Sequence, residues 1–357
     1  MTQIKVDNVV DAAGTGKPDF SDGITIAGGA ISSQNLCQYT SSSTEPSSLN
    51  NGAIWWDTFN EKYKVYLDGE FKEIQLGGGG GGGGVVWYGD RGIFNWGTVI
   101  DYFTIATSGS AANFGTATNT VNSAAGCGDG SRGLLGGGSG SVNTIEYFTI
   151  STTGNTADFG DLTVGRNEPT ACSDGIYGIF AGGTGSSNVI DYVTVQTTGN
   201  ATDFGDLTAA RYSLTAVNDA TRGVIAGGRT SVWTNIIDYI TIATTGNATD
   251  FGDLTVGRGY VAGAGDTTRG VFAGGFAGSD QNVIDYITIQ TTGNATDFGD
   301  LTSNRSEVEG CSDATYAVFS DSVWNKITIQ TTGNATTFDN TGSSISRSRA
   351  GISGSAA

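Results

Sequence analysis

NVIDYITIQTTGNATDFGDLT, residues 282–302, occurs six times in this chain in closer or looser form. NVIDYVTVQTTGNATDFGDLT begins at Asn188 and NIIDYITIATTGNATDFGDLT at Asn235. Looser copies are NTIEYFTISTTGNTADFGDLT from Asn143, TVIDYFTIATSGSAANFGTAT from Thr98 and SVWNKITIQTTGNATTFDNTG from Ser322. Repetition of this kind marks a structure built from one supersecondary unit that buries its apolar faces against neighbouring copies. Within a unit, NVIDYITI is β-branched and aromatic on both faces, as a strand sandwiched between layers must be. RGVFAGG, from Arg269, is a short apolar run stopped by Gly-Gly, a strand and a turn. A third strand is expected around Phe-Gly-Asp-Leu-Thr, and a fourth in stretches such as VGRGYVAGAGD, Val256 to Asp266. Four strands in about 45 residues predict one blade of a β-propeller.

The spacing tests this reading. We take as a marker the residue before Asp-Tyr: Ile100, Ile145, Ile190, Ile237, Ile284 and, by alignment, Trp324. The RG-type motif starts at Arg132, Tyr177, Arg222, Arg269 and Tyr316, each 32 residues after its marker. The intervals from motif to next marker are 9, 13, 13, 15, 15 and 8 residues, so all insertion is confined to one connection per repeat. Counting 32 on from Trp324 reaches residue 356, where the next motif is due; it is supplied by Arg91, Gly92 and Ile93. ISRSRAGISGS, Ile345 to Ser355, is thus a first strand without a blade, and the segment from Arg91 a blade without its first strand. The expectation is an all-β fold with a six-bladed β-propeller closed by the C-terminal strand, leaving no free sheet edge at the join.

Ahead of the repeats, EIQLGGGGGGGGVVWYGD holds eight consecutive glycines, Gly77 to Gly84. This divides the chain into residues 1–76, a polyglycine linker at 77–84, and the propeller at 85–357. Such a linker has a root-mean-square span of roughly 16 Å, the behaviour of a joint. Residues 54–74 read as a small β-meander, with IWWD, YKVYL and FKEI separated by turns, the second at Asp68-Gly69. Trp55, Trp56 and Tyr63 are either an attachment surface or the aromatic core of this small unit.

Glycine supplies 58 of 357 residues and proline three, a composition suited to short strands and tight turns. The net charge of −18 opposes phosphate backbones and anionic lipid, so neither nucleic acid nor membrane insertion is expected. No basic segment followed by an apolar run opens the chain, and no apolar stretch nears the roughly 20 residues of a membrane helix. The absence of histidine removes the commonest metal ligand and general base.

The repeats resemble kelch-type propellers. The resemblance lies in the glycine doublet, spaced tyrosine, aromatic and arginine: Gly182-Gly183, Tyr192, Phe204, Arg211; Gly227-Gly228, Tyr239, Phe251, Arg258; and Gly274-Gly275, Tyr286, Phe298, Arg305. Phenylalanine stands where kelch repeats carry tryptophan, and the first and last blades lack the doublet. Kelch-like propellers include copper oxidases, whose metal centre needs histidine, so that activity is not expected here. VDNVVDAAGTGKPDFSDGITIAGGAI and NGAIWWDTFNEKYKVYLDGEFKEI are similar to head segments of tail fibres and other virion proteins of marine bacteriophages, especially cyanophages. That resemblance implies a virion protein that joins other virion proteins through residues 1–76, with a homo-oligomer, a trimer in particular, as the expected assembly. It implies a propeller facing a host-surface glycan or protein. A non-adhesive decoration or tail-assembly role is the alternative, and glycan cleavage a weaker one.

No catalytic, cofactor or metal residue is assigned. GTGKP, Gly14 to Pro18, lacks the spacing of a phosphate loop and reads as a turn. Asp-Phe-Gly-Asp recurs at Asp158, Asp203, Asp250 and Asp297; Ca²⁺ ligation remains open, though recurrence favours turn chemistry. The Asn-Ala-Thr sequons at Asn200, Asn247, Asn294 and Asn334 read as repeated β-turns. Cys127, Cys172 and Cys311 share one repeat position with Val217 and Ala264, which marks a small buried apolar site. Recognition is expected on the variable connections, which emerge on one face of the disc. Trp96, Arg229, Trp233, Phe276 and Asp280 are the candidates there, against drift at tolerant loop tips.

Overall fold

The computed structural model divides into two compact units, residues 1–83 and 84–357. It describes residues 89–107, 111–118, 122–184, 187–320, 323–338 and 350–354, and, before residue 89, the strands alone. In the first unit Ile54–Asp57, Lys62–Leu67 and Glu70–Glu73 form the antiparallel meander, and Tyr39–Ser42 adds a parallel strand beside Ile54–Asp57. Trp56 pairs with Tyr63 and Trp55 with Lys64 along the backbone. The side chains of these residues, and the polyglycine tract, lie outside the described residues.

The second unit is a six-bladed β-propeller. Blade II runs from the axis outward as Ala125–Gly128, Arg132–Gly136, Thr144–Thr149 and Ala157–Asp161. Blade III is Thr170–Ser173, Tyr177–Ala181, Val189–Thr194 and Thr202–Asp206; blade IV is Thr215–Asn218, Arg222–Ala226, Ile236–Thr241 and Thr249–Asp253. Blade V is Ala262–Gly265, Arg269–Ala273, Gln281–Thr288 and Thr296–Arg305; blade VI is Glu309–Ser312, Tyr316–Ser320, Asn325–Thr328 and Thr336–Thr337. Blade I takes its inner strand, Ala350–Gly354, from the far end of the chain and continues with Arg91–Trp96, Val99–Thr104 and Ala112–Thr116. Ile352 pairs with Ile93, antiparallel, so the ring closes by strand exchange between the ends, as the spacing predicts.

The hydrophobic core is six slices rather than one ball. Each apolar cluster lies in one blade–blade gap: Cys172, Ile179, Ile190 and Phe204 of blade III meet Ile225, Ile240 and Ile242 of blade IV, for example. A strand covered on both faces loses simple alternation, which is why Ile237 and Asp238 are both buried in VIDYIT-type strands. The gap between blades VI and I is aromatic, with Trp324 edge-on to Phe94 at 5.1 Å and close to Phe103 at 4.7 Å. The divergent marker Trp324 thus fills the closing interface.

Six inner strands around one axis leave little room. A Cβ on Gly310 would sit 2.4 Å from the Gly263 carbonyl oxygen of the neighbouring blade, and only glycine meets that approach. The cysteine position packs onto the RG glycine of the following blade: Cβ atoms built on Gly178, Gly223 and Gly92 would meet Cys127, Cys172 and Cys311 Sγ at 3.1, 2.8 and 2.8 Å. Burial, reinforced by Asp174, pushes the Cys172 thiol up to about 12, and burial raises Cys127 and Cys311 as well. These cysteines remain protonated hydrophobes.

At the rim the strand expected around Phe-Gly-Asp-Leu-Thr is the outermost one, and it takes in the whole Asp-Phe-Gly-Asp whose recurrence favoured turn chemistry: Phe204 is buried and the flanking Asp203 is exposed. The Asn-Ala-Thr segment is likewise no simple β-turn. It caps the outer strand of the preceding blade: the Gly199 and Ala201 amides donate to the Phe159 and Asp161 carbonyls, and Asn200 Oδ1 accepts the Asp161 amide. Asn247, Asn294 and Asn334 repeat this bond to Asp206, Asp253 and Asp300. The repeated asparagine therefore protects an exposed sheet edge.

Candidate functional site

Because strands alternate in direction, the connections from second to third strand and from outer strand to next inner strand share one face. The opposite face carries near-constant Asp-centred turns and TTGNAT loops. Among the described residues, the exposed large hydrophobics Trp96, Val164, Val232 and Val323 all lie on connections of the first face, and only Ile176 on the other. The variable face is therefore also the apolar one.

That face is held stiffly. Arg166, Arg211 and Arg258, on the connections entering blades III, IV and V, are buried and ion-paired with Asp191, Asp238 and Asp285 on the third strands. Thr208 adds its amide and hydroxyl to Asp238, and Thr255 does the same for Asp285. Arg258 also donates through Nε to the Gly274 carbonyl at 2.8 Å. Such pairs contribute little net stability over apolar packing, but misplacing one strands a buried charge, so they fix registry. At blade VI the acid position is Asn325, whose Oδ1 accepts the Thr302 amide.

Two residues after Arg166, Arg211, Arg258 and Arg305 the chain enters a left-handed conformation without glycine. Glu168, Ser213, Tyr260 and Glu307, with Ser123 at the equivalent place before blade II, have φ between 54° and 59°. Each such residue costs about 1–2 kcal/mol. The compensation is a hydrogen-bonded collar: the Glu168 amide donates to the Ser123 carbonyl, Ser213 to Glu168 and Tyr260 to Ser213, at 3.0–3.2 Å. The side chains converge too, since Ser213 Oγ donates to Glu168 Oε2 and Tyr260 Oη lies 3.4 Å from Glu168 Oε1. Together with Glu307 and Glu309 they line a cavity of about 30 Å³ at the mouth of the axis. Deeper along the axis a second cavity, of about 120 Å³, is walled by the glycine, alanine and cysteine positions of the inner strands.

Beside the mouth, across blades IV and V, the longest connections meet. Trp233 packs against Phe276 at 5.4 Å and Tyr260 at 5.8 Å, and the Arg229 guanidinium lies 4.9 Å over the Trp233 ring. Arg229 bridges Trp233, and Phe276 bridges Asp280, in short antiparallel pairs. Asp280 Oδ1 accepts from Ser306 Oγ at 2.7 Å, tying the loop to the connection that carries Glu307. Four of the five predicted loop residues, Arg229, Trp233, Phe276 and Asp280, are thus brought together. Trp96, 37% exposed, is on the same face but belongs to the hairpin of blade I.

Length variation alone did not reveal Tyr260, Glu168 or Glu307, because their connections do not change length. The available signal was one changing column in a constant frame, Glu, Ser, Tyr and Glu two residues after Arg166, Arg211, Arg258 and Arg305. Among the described residues no group of three or more Cys, Asp or Glu is placed to hold a metal ion. The sequence matches no family model and no curated protein.

Proposed function

We propose that this chain is a recognition protein that binds a partner on the variable face of its propeller. The observation that carries this reading is the cluster of Arg229, Trp233, Tyr260 and Phe276, assembled from two blades. Aromatic and arginine side chains on a rigid frame are the usual anchors of an interface. Segregation of exposed apolar side chains to that face supports the same choice. Binding rather than catalysis is further supported by the buried aspartates Asp191, Asp238 and Asp285, which are committed to repeated arginine and threonine contacts. The glycine doublets, left-handed at Gly227 and Gly228, and the buried Arg211 support the kelch-like reading of the repeats.

In its finer form the proposal is a phage tail fibre or fibre-like adhesin on the virion. Residues 1–76 attach to other virion proteins, and the propeller meets a host-surface glycan or protein. Support for the virion setting is the resemblance of the N-terminal segment. The full-length chain, fluorescently labelled, is expected to bind host cells saturably. A Trp233→Ala/Phe276→Ala variant that still melts cooperatively is expected to lose most of that binding. Undiminished binding by this variant rejects the loop-face site; no binding by the wild type, with particles failing to assemble when the propeller is deleted, selects a structural role.

A further inference from the structure

On the constant face, one Asp-centred turn has lost the donors that serve its equivalents. In the gaps that follow blades II, IV and V, an arginine opening the second strand reaches the next blade. Arg132, Arg222 and Arg269 donate through Nη1 to the carbonyls of Val195, Ile289 and Ile329 at 3.0–3.1 Å. The residue after each carbonyl is a glutamine, Gln196, Gln290 or Gln330. It donates to the turn aspartate, Asp129, Asp219 or Asp266, and to the hydroxyl of Ser131, Thr221 or Thr268 beside it. At blade III three residues change together: Tyr177 stands for the arginine, Ile176 for the hydroxyl and, on blade IV, Ala243 for the glutamine. The acceptors stay, the Asp174 carboxylate and the Ile242 carbonyl. Asp174 is 0% exposed, and its Oδ2 has no hydrogen-bond partner. Since Oδ1 takes the amides of Ile176 and Tyr177, Oδ2 is the oxygen left for blade IV, as it is in Asp129, Asp219 and Asp266.

We propose that the gap between the blade III turn and blade IV is a binding site for a cationic N–H head group, a guanidinium or a primary ammonium. The repeat itself shows the chemistry, because at the equivalent place after blade IV the same two acceptors are met by a guanidinium and an amide of the chain. A buried carboxylate short of donors is costly, and a cation that also donates hydrogen bonds offsets that cost best. Tyr177 and Tyr192, edge to face at 5.9 Å, supply an aromatic side to the site, where in blade V Arg269 lies over the Tyr286 ring. Ala243 and Ile176 are exposed, Ile176 at 40%, so the way to Asp174 runs past these two side chains. Ile176 gives the carbon stem of such a head an apolar contact. An anion is repelled by Asp174. A divalent ion is disfavoured, since among the described residues no group of three or more Cys, Asp or Glu is placed to ligate one. The site lies on the face opposite the variable loops and does not depend on the recognition reading.

The test uses the intact chain, labelled at the isoleucine δ1 methyls and titrated with methylguanidinium by NMR at neutral pH. The Ile176 and Ile242 methyls are expected to shift saturably, with half-saturation on the order of millimolar for so small a ligand. Tetramethylammonium, a cation without N–H donors, is expected to leave both in place. Ala243→Gln brings the repeat's own amide to Asp174 and is expected to weaken binding about tenfold or more while the propeller stays folded, and Asp174→Asn to do the same. If Asp174→Asn does not fold, Ala243→Gln decides. N-acetylarginine methylamide separates the two sources of the head group, and either result supports the site. Binding as tight as that of methylguanidinium points to an arginine of a partner polypeptide, and binding of methylguanidinium alone to a free small cation. No saturable shift, equal shifts with tetramethylammonium, or undiminished binding by Ala243→Gln would overturn the proposal.

Discussion

Gln330 reaches across the gap between blades V and VI to donate a hydrogen bond to Asp266 Oδ2. Gln196 does the same for Asp129, and Gln290 for Asp219. In each turn the other carboxylate oxygen accepts two amides, as Asp266 Oδ1 does from Thr268 and Arg269. Asp174 has the amides of Ile176 and Tyr177, but blade IV offers Ala243 where the others have glutamine. Its Oδ2 is buried without a hydrogen-bond partner. The consequence is electrostatic. Burial pushes Asp174 above the usual carboxylate range despite its turn amides. Burial acts on Asp266 in the same direction, but the hydrogen bonds led by Gln330 outweigh it and hold that carboxyl below the usual range.

Ala243→Gln is therefore expected to stabilise the propeller by about 1–2 kcal/mol at neutral pH, by satisfying a buried charged acceptor. With its folded pKa raised, ionised Asp174 costs stability at neutral pH, a cost relieved as acid protonates it. The added glutamine favours the ionised form, so its gain is full above the raised folded pKa of Asp174 and shrinks as acid protonates that carboxylate. Urea unfolding at pH 7 and in mild acid checks both the sign and the trend; a gain that grew in acid would contradict this account.

Blade VI exchanges the two halves of a cation–aromatic pair. In blades I, II, IV and V an arginine lies over a tyrosine of the third strand, as Arg269 lies 4.4 Å from the Tyr286 ring centroid. In blade VI the tyrosine is Tyr316, at the arginine position, and Lys326 Nζ sits 3.7 Å over it from the tyrosine position. Tyr316→Arg alone would set two cations face to face, and Lys326→Tyr alone would set two aromatics together, as Tyr177 and Tyr192 are in blade III. Tyr316→Arg should cost roughly 1 kcal/mol or more, Lys326→Tyr little, and the double variant should regain most of the loss. A double-mutant cycle by thermal or denaturant unfolding measures the coupling, and additivity would reject the exchange.

How much of this was legible beforehand depends on what a residue interacts with. Blade number and ring closure could be read because Arg91 and Trp324 mark a fixed spacing that only a closed ring satisfies. The variable face could be read because Arg229 and Phe276 sit in connections that change length. Arg258 could be read as a repeated arginine but not as the partner of Asp285, since the pair crosses between separate strands of the chain. The strand around Phe204 could be read from the repeat, but not its start ahead of Asp203, because Asp and Gly are turn residues by type and packing of Phe204 between blades makes them strand. Tyr260 was hidden because its loop keeps its length and its importance comes from the left-handed backbone that aims it at Glu168.

The contact between the cysteine position and the RG glycine also predicts a compensating pair. Where the inner-strand residue is Val217, the facing residue is Gly270, whose Cβ would lie 2.4 Å from Val217 Cγ2. At the next gap the RG glycine has become Ala317, and the inner-strand position has shrunk to Ala264; both lie in the cluster between blades V and VI. The extra methyl on one side is thus matched by a smaller side chain on the other. Ala264→Val is expected to overpack this gap and cost about 1–3 kcal/mol. Ala317→Gly alone is expected to cost about 1 kcal/mol, through lost burial and a more flexible unfolded chain. Combined, they rebuild the Val217–Gly270 arrangement, so the double variant should be more stable than Ala264→Val alone. Guanidinium unfolding of the four proteins decides the point: if Ala317→Gly deepens the loss caused by Ala264→Val, size matching across the blades does not govern this position.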